Sequence, residues 1–537
     1  MKKIHRQLLP FILFIVAVVY FAFLWKHMLY WQDGALFAGH PYVWADWSMH
    51  LGLVSRFAYM NPSLWLSNNP FFVGARLNYP FGTNLLSGLL IRLGVEFTQA
   101  MIIPSFIFSL ALVVMLFVFV RQFCKDAKLA IIGSLLFLFS GGLGVFVTLH
   151  PSTAIQQLFN STLTYTQNHD LGIEFTNIWM GMLMPQRAFL LGMPIGLLLF
   201  CLVWKIYTKQ NIRSGLLLGG GVIAGVLPLI HTHTYIVLVL MSAWLFITSS
   251  FKHWKQWLWF GVPATFTSGI VFFFFLRGTI TPSSFFSIHL GWMADESIPA
   301  WIVFWLKNWG VFGLTALVGT VLLWRKKKHA SLSWTCGWWS IFVLANVVQF
   351  QPQTWDNSKI FAWVYAGLVI PVMYTIETLI HLKKGGKIIA FLLIVSMCLS
   401  GALDVMNMLD FSTHSYQMLS KEEVEVGLFT RDHLPPTAVV LTDDWVANPI
   451  PMLSGRTVLL GYPGWVFSYG LSYAQREMDM KDMYEGRDDA LSLLHTYHIS
   501  YVLIGIEEMK DDPNVTFFQD NGTMVFHNSQ ETLYKLN

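Results

Sequence analysis

Long apolar runs recur through the whole chain, and they restrict what it can fold into. The sequence has 537 residues, of which 55% are hydrophobic and only 12% are charged. An apolar run of roughly 17 residues or more can cross the hydrocarbon core of a bilayer as a helix. We therefore predict a mainly α, polytopic helical membrane bundle of about eleven spans. The predicted spans are 8–24, 100–120, 129–149, 188–204, 214–231, 234–250, 258–276, 301–324, 333–350, 360–380 and 388–408.

Cationic residues between the spans predict the orientation of the bundle. With the N-terminus inside, the interior segments contain 18 Lys and Arg residues, and the exterior loops before the tail contain seven. Cytoplasmic loops are the ones enriched in Lys and Arg. The N-terminus is therefore predicted to be cytoplasmic. Residues 25–99 and everything after about residue 410 are predicted to be extracytoplasmic.

The composition changes after residue 408. Residues 409–537 contain more than twice as many Asp and Glu as Lys and Arg, and they include no run of span length. Helical patterns such as KEEVEVGLFTRDHL alternate with strand patterns such as TAVVLT, and a hairpin is predicted at Asn521-Gly522. The pattern is typical of a small α/β domain. We predict a transmembrane domain over 1–408, with a long first exterior loop at 25–99, and a soluble extracytoplasmic α/β domain over 409–537.

The first exterior loop contains an isolated carboxylate among aromatic residues. Asp46 lies four residues before His50, so the two side chains share a helix face if Asp46 to Met60 is helical. Arg76 and Tyr79 follow in the same loop. A carboxylate beside cations at the mouth of a bundle suggests proton abstraction next to a phosphate. The alternative interpretation is a solvated aspartate that caps an interfacial helix.

Further polar candidates lie at the predicted exterior ends of later spans. Gln186 and Arg187 begin the fourth predicted span, where an arginine is a functional hypothesis or a side chain that snorkels to water. His231 and His233 lie at a polar turn between two spans, where they could bind a ligand, act as turn residues or contribute to a metal site. Lys359 follows Asp356 and Asn357 at the start of the tenth span, where Asp or Asn is also an ordinary helix cap. We expect Asp46, Arg187 and Lys359 to meet in one exterior-facing cavity.

Several of these segments resemble a known family. The stretch ADWSMHLGLVSRFAYMNPSLWLSNNPFFVGARLNYPF, the later DNSK at 356–359, and LSGRTVLLGYPGW at 453–465 are similar to segments of bacterial GT-C polytopic glycosyltransferases. That superfamily includes protein O-mannosyltransferases and the aminoarabinose transferases of lipid A. The chain departs from the commonest pattern because it has a single acidic residue, Asp46, where many members carry two.

The resemblance implies a function for each candidate residue. The protein would be an inverting hexosyl- or pentosyltransferase that uses a polyprenyl-phosphate sugar as donor and an extracytoplasmic glycan, lipid or protein as acceptor. Asp46 would be the catalytic base, with His50 as its orienting neighbour. The other candidates divide into contacts to the donor phosphate (Arg187, Lys359 and Arg76) and contacts to the remaining substrate (Tyr79, Gln186, His231, His233, Asp356 and Asn357). No cofactor is certain, no metal ligands are assigned, and a divalent cation such as Mg²⁺ or Mn²⁺ stays an open expectation.

Two other functions compete with the enzyme. A transporter or flippase for a lipid-linked substrate would explain many spans and charges at membrane depth. A non-catalytic scaffold for envelope assembly would explain the exterior domain. In each case the expected partner is the lipid bilayer, in a bacterial inner membrane, and no nucleic acid is expected.

Overall fold

The computed structural model describes residues 2–149, 160–208, 211–277, 286–294, 297–382 and 385–537. These residues form two units. The first unit contains residues 1–24, 105–273 and 282–413. The second contains residues 25–104, 274–281 and 414–537, so the first exterior loop belongs to the same unit as the C-terminal part of the chain. This grouping was not predicted from the sequence.

Helices account for most of the described chain. Those of ten residues or more are α1 (Lys2–Met28), α2 (Trp44–Tyr59), α3 (Gly82–Arg92), α4 (Phe97–Phe123), α5 (Ala127–Leu138), α6 (Arg187–Tyr207), α7 (Ser214–Ile230), α8 (Thr232–Thr248), α9 (Trp254–Val271), α10 (Ile298–Trp309), α11 (Val311–Arg325), α12 (His329–Ala345), α13 (Ser358–Ile380), α14 (Gly386–Asn407), α15 (Lys421–His433) and α16 (Ala474–Glu485). The strands are β1 (Leu29–Gln32), β2 (Ala35–Ala38), β3 (Ser287–Ile288), β4 (Val348–Gln349), β5 (Tyr416–Leu419), β6 (Val439–Leu441), β7 (Thr457–Val458), β8 (Tyr501–Ile504), β9 (Gly522–His527) and β10 (Thr532–Leu536).

Each predicted span coincides at least in part with a helix. Within the described residues, six helices are long and apolar enough to cross a membrane by themselves, or seven if one bent pair counts as a single span. The protein is therefore an integral membrane protein, and the count of about eleven spans stays a prediction. Span 129–149 was predicted too long, because α5 ends at Leu138. The chain there is held by Asn177, whose Nδ2 donates to the carbonyls of Leu138 and Ser140.

The predicted span 301–324 is not one continuous helix. It consists of α10 and α11, which meet at an angle of 100°. The joint is Gly310, with φ 56° and ψ −136°, a backbone conformation that residues with a Cβ atom rarely adopt. The sequence shows one glycine in an apolar run, and this does not distinguish a bend from a tolerated glycine.

Buried polar side chains attach residues 165–175 to two helices of the first unit. The Asp404 carboxylate, in α14, accepts hydrogen bonds from the backbone N–H groups of Tyr165 and Thr166 at 2.8 and 2.7 Å. The Asn308 amide oxygen, in α10, accepts from the N–H groups of Glu174 and Phe175, both at 2.7 Å. Each otherwise unpaired backbone donor would cost free energy in a buried environment, so these bonds fix the path of the segment.

The second unit contains two sheets. The smaller has the order β1-β2-β5 and is antiparallel, and it pairs the first exterior loop with the C-terminal part of the chain. The larger has five strands in the order β7-β6-β8-β10-β9. Strand β6 is parallel to β7 and β8, whereas β10 is antiparallel to β8 and β9. Helices α15 and α16 lie in the same segment, so helices and strands alternate there.

The C-terminal hairpin differs from the predicted one. Asn521-Gly522 does not form the turn, because residues Val515–Asn521 are helical and strand β9 begins at Gly522. The Asn514 side chain caps that helix by accepting the N–H of Phe517 at 3.0 Å. The turn lies at 528–531, where the Asn528 side chain accepts the N–H groups of two following residues. Local capping by asparagine outweighs the Asn-Gly turn preference here.

Candidate functional site

Helix α2, which carries Asp46, is fastened to the C-terminal part of the second unit by a buried arginine. The Arg56 Nη1 donates to the Gly455 carbonyl at 3.1 Å, and its Nη2 donates to the Leu64 carbonyl at 2.6 Å. The hydroxyl of Ser55 donates to the Met452 carbonyl at 2.6 Å. Burial, together with the charge of Arg456, lowers the pKa of Arg56 to about 10, so the guanidinium stays charged at neutral pH.

A close approach of the backbone further fixes α2. A Cβ atom added at Gly52 would lie 2.6 Å from Cζ of Phe71 and 3.5 Å from Cβ of Pro451. Only glycine leaves room for this contact, about one and two-thirds turns after Asp46. Helix α2, which carries the candidate base, therefore packs against residues of both the first exterior loop and the C-terminal segment.

Asp46 itself is half-buried at the third residue of α2. The N-cap of α2 is Val43, with no side-chain cap, and Asp46 is the acidic residue of the first turn. His50 follows one turn later and is buried. The spacing predicted from the sequence is thus present in a helix, and the two side chains lie on adjoining turns.

Two tyrosines lie close to this carboxylate. The rings of Tyr79 and Tyr469 are 5.2 Å apart, and the Tyr469 hydroxyl donates to Sδ of Met49 at 2.7 Å. Burial raises the pKa of Tyr469 well above its usual value, and the charges of Tyr79 and Asp46 act in the same direction. The Tyr469 phenol therefore stays protonated beside Asp46, with its hydrogen donated to Met49.

Arg76, a further cation of this loop, is exposed. Its Nη2 donates to the carbonyl of Phe274 at 2.6 Å. Side-chain bonds to backbone carbonyls leave the positive charge of a guanidinium uncompensated, so Arg76 can still attract an anion.

In the first unit, Lys359 and Asp356 form an ion pair at the start of α13. Their Nζ and Oδ1 atoms are 2.9 Å apart, and both side chains are largely buried. The charge of Lys359 acts on His231 and on His233, and the charge of Asp356 acts on His233. The structure therefore brings together four of the residues that the sequence singled out from two distant segments.

The hydrogen bonds of His231 define its tautomer. The Thr234 backbone N–H donates to His231 Nδ1 at 3.3 Å, so Nδ1 has no proton. The neutral ring then carries its hydrogen on Nε2. That nitrogen is buried and has no hydrogen-bond partner among the described residues, and the same is true of Nε2 of His233. Buried polar atoms without partners are costly, which makes this turn a candidate for a polar ligand.

The remaining candidates in this unit have different surroundings. Arg187 is fully buried at the first residue of α6, and its Nε donates to the Ser105 hydroxyl at 3.1 Å. Gln186 is the N-cap of that helix and is half-buried. The Asn357 amide is committed to the backbone, because its oxygen accepts the N–H of Phe350 and its nitrogen donates to two carbonyls. This geometry indicates that Asn357 holds the backbone that precedes α13 in place.

A metal centre was left open by the sequence. Within the described ranges, no three His, Cys, Asp or Glu side chains are grouped so that they could hold a metal ion. The divalent cation therefore gains no ligands from this part of the chain, and its involvement stays an open expectation.

The structure also adds residues that sequence reasoning missed. Tyr469, Tyr462 and Trp445 of the C-terminal segment lie against the Asp46 helix or its first residue, Trp44. The one local signal was the density of aromatic residues in GYPGWVFSYG, within an otherwise acidic domain.

No protein-family model and no curated protein matches this chain. Solved structures do match it. The crystal structure of the Archaeoglobus fulgidus oligosaccharyltransferase, tethered to an acceptor peptide containing an NVT sequon, is 10% identical with a TM-score of 0.50. That match covers 99% of this chain and 74% of the archaeal chain.

The chain shares the fold of this oligosaccharyltransferase.

A second match is to ArnT from Cupriavidus metallidurans bound to undecaprenyl phosphate. It has 12% identity and a TM-score of 0.47, and it covers 97% of each chain. The apo form of that protein matches with 11% identity and the same TM-score of 0.47, over 99% of this chain.

Proposed function

We propose that this protein is an inverting membrane glycosyltransferase that moves a hexose or pentose from a polyprenyl-phosphate donor to an extracytoplasmic acceptor. The observation that carries the proposal is the fold shared with the archaeal oligosaccharyltransferase, with a half-buried carboxylate, Asp46, in the first turn of a helix held from both sides. In this proposal the N-terminus is cytoplasmic, as the Lys and Arg distribution predicts, Asp46 lies outside the cytoplasm, and the membrane is the inner membrane of a bacterium. The acceptor would be a surface glycan, a lipid or a protein.

Asp46 is the proposed base. It takes the proton of an acceptor hydroxyl as the hydroxyl oxygen forms a bond to the anomeric carbon of the donor sugar. The bond from that carbon to the phosphate oxygen breaks at the same time, and its electron pair leaves with the polyprenyl phosphate. A single displacement inverts the configuration at the sugar carbon. A positioned general base contributes about 10²- to 10⁴-fold to such a step.

The proposed donor contacts are the polar residues of the first unit. Lys359, Arg187 and the His231 Nε2–H would stabilise the charge that develops on the leaving phosphate. Lys359 is held by Asp356, which fixes its position and partly neutralises it. Among these contacts, His231 Nε2–H has the best support. It is buried without a hydrogen-bond partner among the described residues, and a phosphate oxygen would accept its hydrogen bond. Exchange of His231 for Phe should weaken donor binding roughly tenfold, since one buried hydrogen bond to a charged group is lost.

An apolar cavity of the first unit can accommodate a lipid chain. It has a volume of about 500 Å³, and its lining includes Pro10, Phe14, Phe117 and Trp179. The residues around it are almost all hydrophobic, so a polyprenyl chain would be buried there at little polar cost. The cavity supports a lipid-linked donor.

The test is turnover with defined donors. Purified protein in lipid nanodiscs is incubated with synthetic polyprenyl-phosphate sugars, and released polyprenyl phosphate is measured by mass spectrometry. Asp46→Asn should abolish release, whereas Asp33→Asn should leave it unchanged, because Asp33 is an exposed turn residue of the same exterior loop with φ 52° that asparagine also tolerates. Release that is equal in both variants would contradict the proposal. Movement of intact donor across the bilayer without release would instead identify a transporter.

A further inference from the structure

Three aromatic side chains from distant parts of the chain meet near the start of α2. The ring of Trp44 lies 6.1 Å from that of Trp445 and 5.6 Å from that of Tyr462, measured between centroids, and both pairs are edge-on. We refer to Trp44, Trp445 and Tyr462 as the aromatic platform. All three belong to the second unit, and the backbone of Asp46 is two residues further along α2, about 3 Å along the helix axis.

The aromatic platform is not fully buried. Trp445 is 42% exposed, and Trp44 and Tyr462 are half-buried. Leaving a large part of an indole ring in water forgoes favourable burial of apolar area. Rings that are rigidly arranged by their neighbours yet open on one side are suited to stacking against a ligand.

The surroundings of Trp445 indicate the chemistry of that ligand. Trp445 lines a polar recess of about 10 Å³ together with carboxylates, including Asp443 and Glu507, and the amide side chain of Asn448. A recess of that volume holds about one water-sized group, such as a hydroxyl. Carboxylates and amides accept hydrogen bonds from hydroxyls, and a sugar ring offers apolar C–H faces together with hydroxyl edges.

The same charges argue against a lipid surface as the occupant. Aromatic residues also collect at membrane interfaces, where tryptophan and tyrosine lie at headgroup level. The described residues that line the recess beside Trp445 include several acidic side chains and no Lys or Arg. The nearby cation, Lys510, lies over the Trp445 ring with Nζ 5.5 Å from the centroid, and it is paired with Glu507. An anionic headgroup would therefore find no unpaired cation among these described residues, whereas a neutral saccharide needs none.

We propose that the aromatic platform binds a neutral saccharide ring, and that it is the acceptor subsite of the glycosyl transfer. The inference rests on the proposed function, and it specifies the acceptor as a glycan rather than a peptide. The ring would stack on the indole of Trp445 with a hydroxyl in the adjoining recess. The C-terminal segment then supplies the acceptor site, and α2 supplies both Trp44 and the base.

Binding of defined trisaccharides to the full-length protein in nanodiscs tests this proposal. The fluorescently labelled probes are maltotriose, chitotriose and tri-galacturonic acid, and affinity is measured by thermophoresis. At least one of the two neutral probes should bind, and the acidic probe should not. Trp445→Ala and Trp44→Ala should each weaken binding roughly tenfold or more, as is usual for a truncated aromatic anchor. Phe467→Ala is the matched control, because Phe467 is also 42% exposed and lies in the same segment.

The outcomes separate the occupants. The proposal is overturned if no neutral probe binds, or if the Phe467 and Trp445 variants lose affinity equally. It is also overturned if the fluorescence that Trp445→Ala removes is quenched by brominated lipids rather than by aqueous iodide, because Trp445 then contacts the membrane.

The proposed function can fail separately. Asp46→Asn should retain saccharide binding, because the assay contains no donor. If no donor is turned over but binding still depends on Trp445, the transferase proposal is refuted, and the aromatic platform is then a saccharide-binding site without an acceptor role. If Asp46→Asn abolishes turnover while saccharide binding is independent of Trp445, the acceptor inference alone is refuted.

Discussion

Replacement of Arg56 by Met should loosen the helix that carries Asp46. The substitution leaves the carbonyl oxygens of Gly455 and Leu64 without their guanidinium donor in a buried environment. Each unsatisfied acceptor costs about 1–3 kcal/mol. Part of this cost is offset, because the burial of a charge is also relieved. We expect a net destabilisation of about 2–4 kcal/mol. For a folded unit of the size of the second unit, this lowers the melting temperature by roughly 5–15 °C.

The assay is thermal unfolding of purified protein in one detergent at one scan rate, since membrane proteins often unfold irreversibly. Arg487→Met is the control. Arg487 is an exposed arginine of the same unit that pairs with Asp482 and Glu485, and such surface pairs contribute about 0–1 kcal/mol. Equal melting temperatures for wild type and Arg56→Met would refute the assignment of Arg56 as the residue that holds α2. A drop of the same size in Arg487→Met would also refute it.

Two further predictions concern buried carboxyls. Asp404→Asn should lower the melting temperature by several degrees, because an amide nitrogen would replace one of the oxygens that accept the N–H groups of Tyr165 and Thr166. An unchanged melting temperature would show that these bonds do not hold residues 165–175. Burial raises the pKa of Glu508 to about 7 and, with the charge of Glu508 adding to it, that of Glu531 to about 8. Because these folded-state values lie above the usual 4.5, the stabilising contribution is complete below about pH 4.5 and is lost as the pH rises to 8. Glu531→Gln should flatten this fall in melting temperature and raise stability at pH 8, whereas the exposed control Asp488→Asn should keep the wild-type slope.

Much of the fold could be predicted because its signals are local. The apolar runs predicted the positions of the helices, and the helix at Asp46 to Met60 was predicted within two residues of α2. Helix α15 has a complete capping box, with Ser420 and Glu423 exchanging hydrogen bonds with each other's backbone N–H, and the sequence shows it directly. The spacing of Asp46 and His50 is also a local property of a helix.

The parts that could not be predicted depend on distant contacts. Arg56 and Gly455 are 399 residues apart in the sequence, and neither residue type indicates the other. The same holds for Met49 and Tyr469, so the C-terminal contribution to the surroundings of Asp46 had no local signature. The bend at Gly310 was missed because glycine permits a positive φ but adopts ordinary helical angles as well, so a single glycine in a sequence does not predict a bend.

The most direct test of the central claim separates chemistry from binding in Asp46→Asn. With a donor that the wild type turns over, single-turnover rate and donor affinity are measured side by side in nanodiscs. If Asp46 is the base, the rate of sugar transfer falls by about 10²- to 10⁴-fold while the donor dissociation constant stays within about twofold of wild type. A variant that transfers sugar at the wild-type rate would contradict the account, and Asp46 would then be an ordinary residue of the first turn of α2.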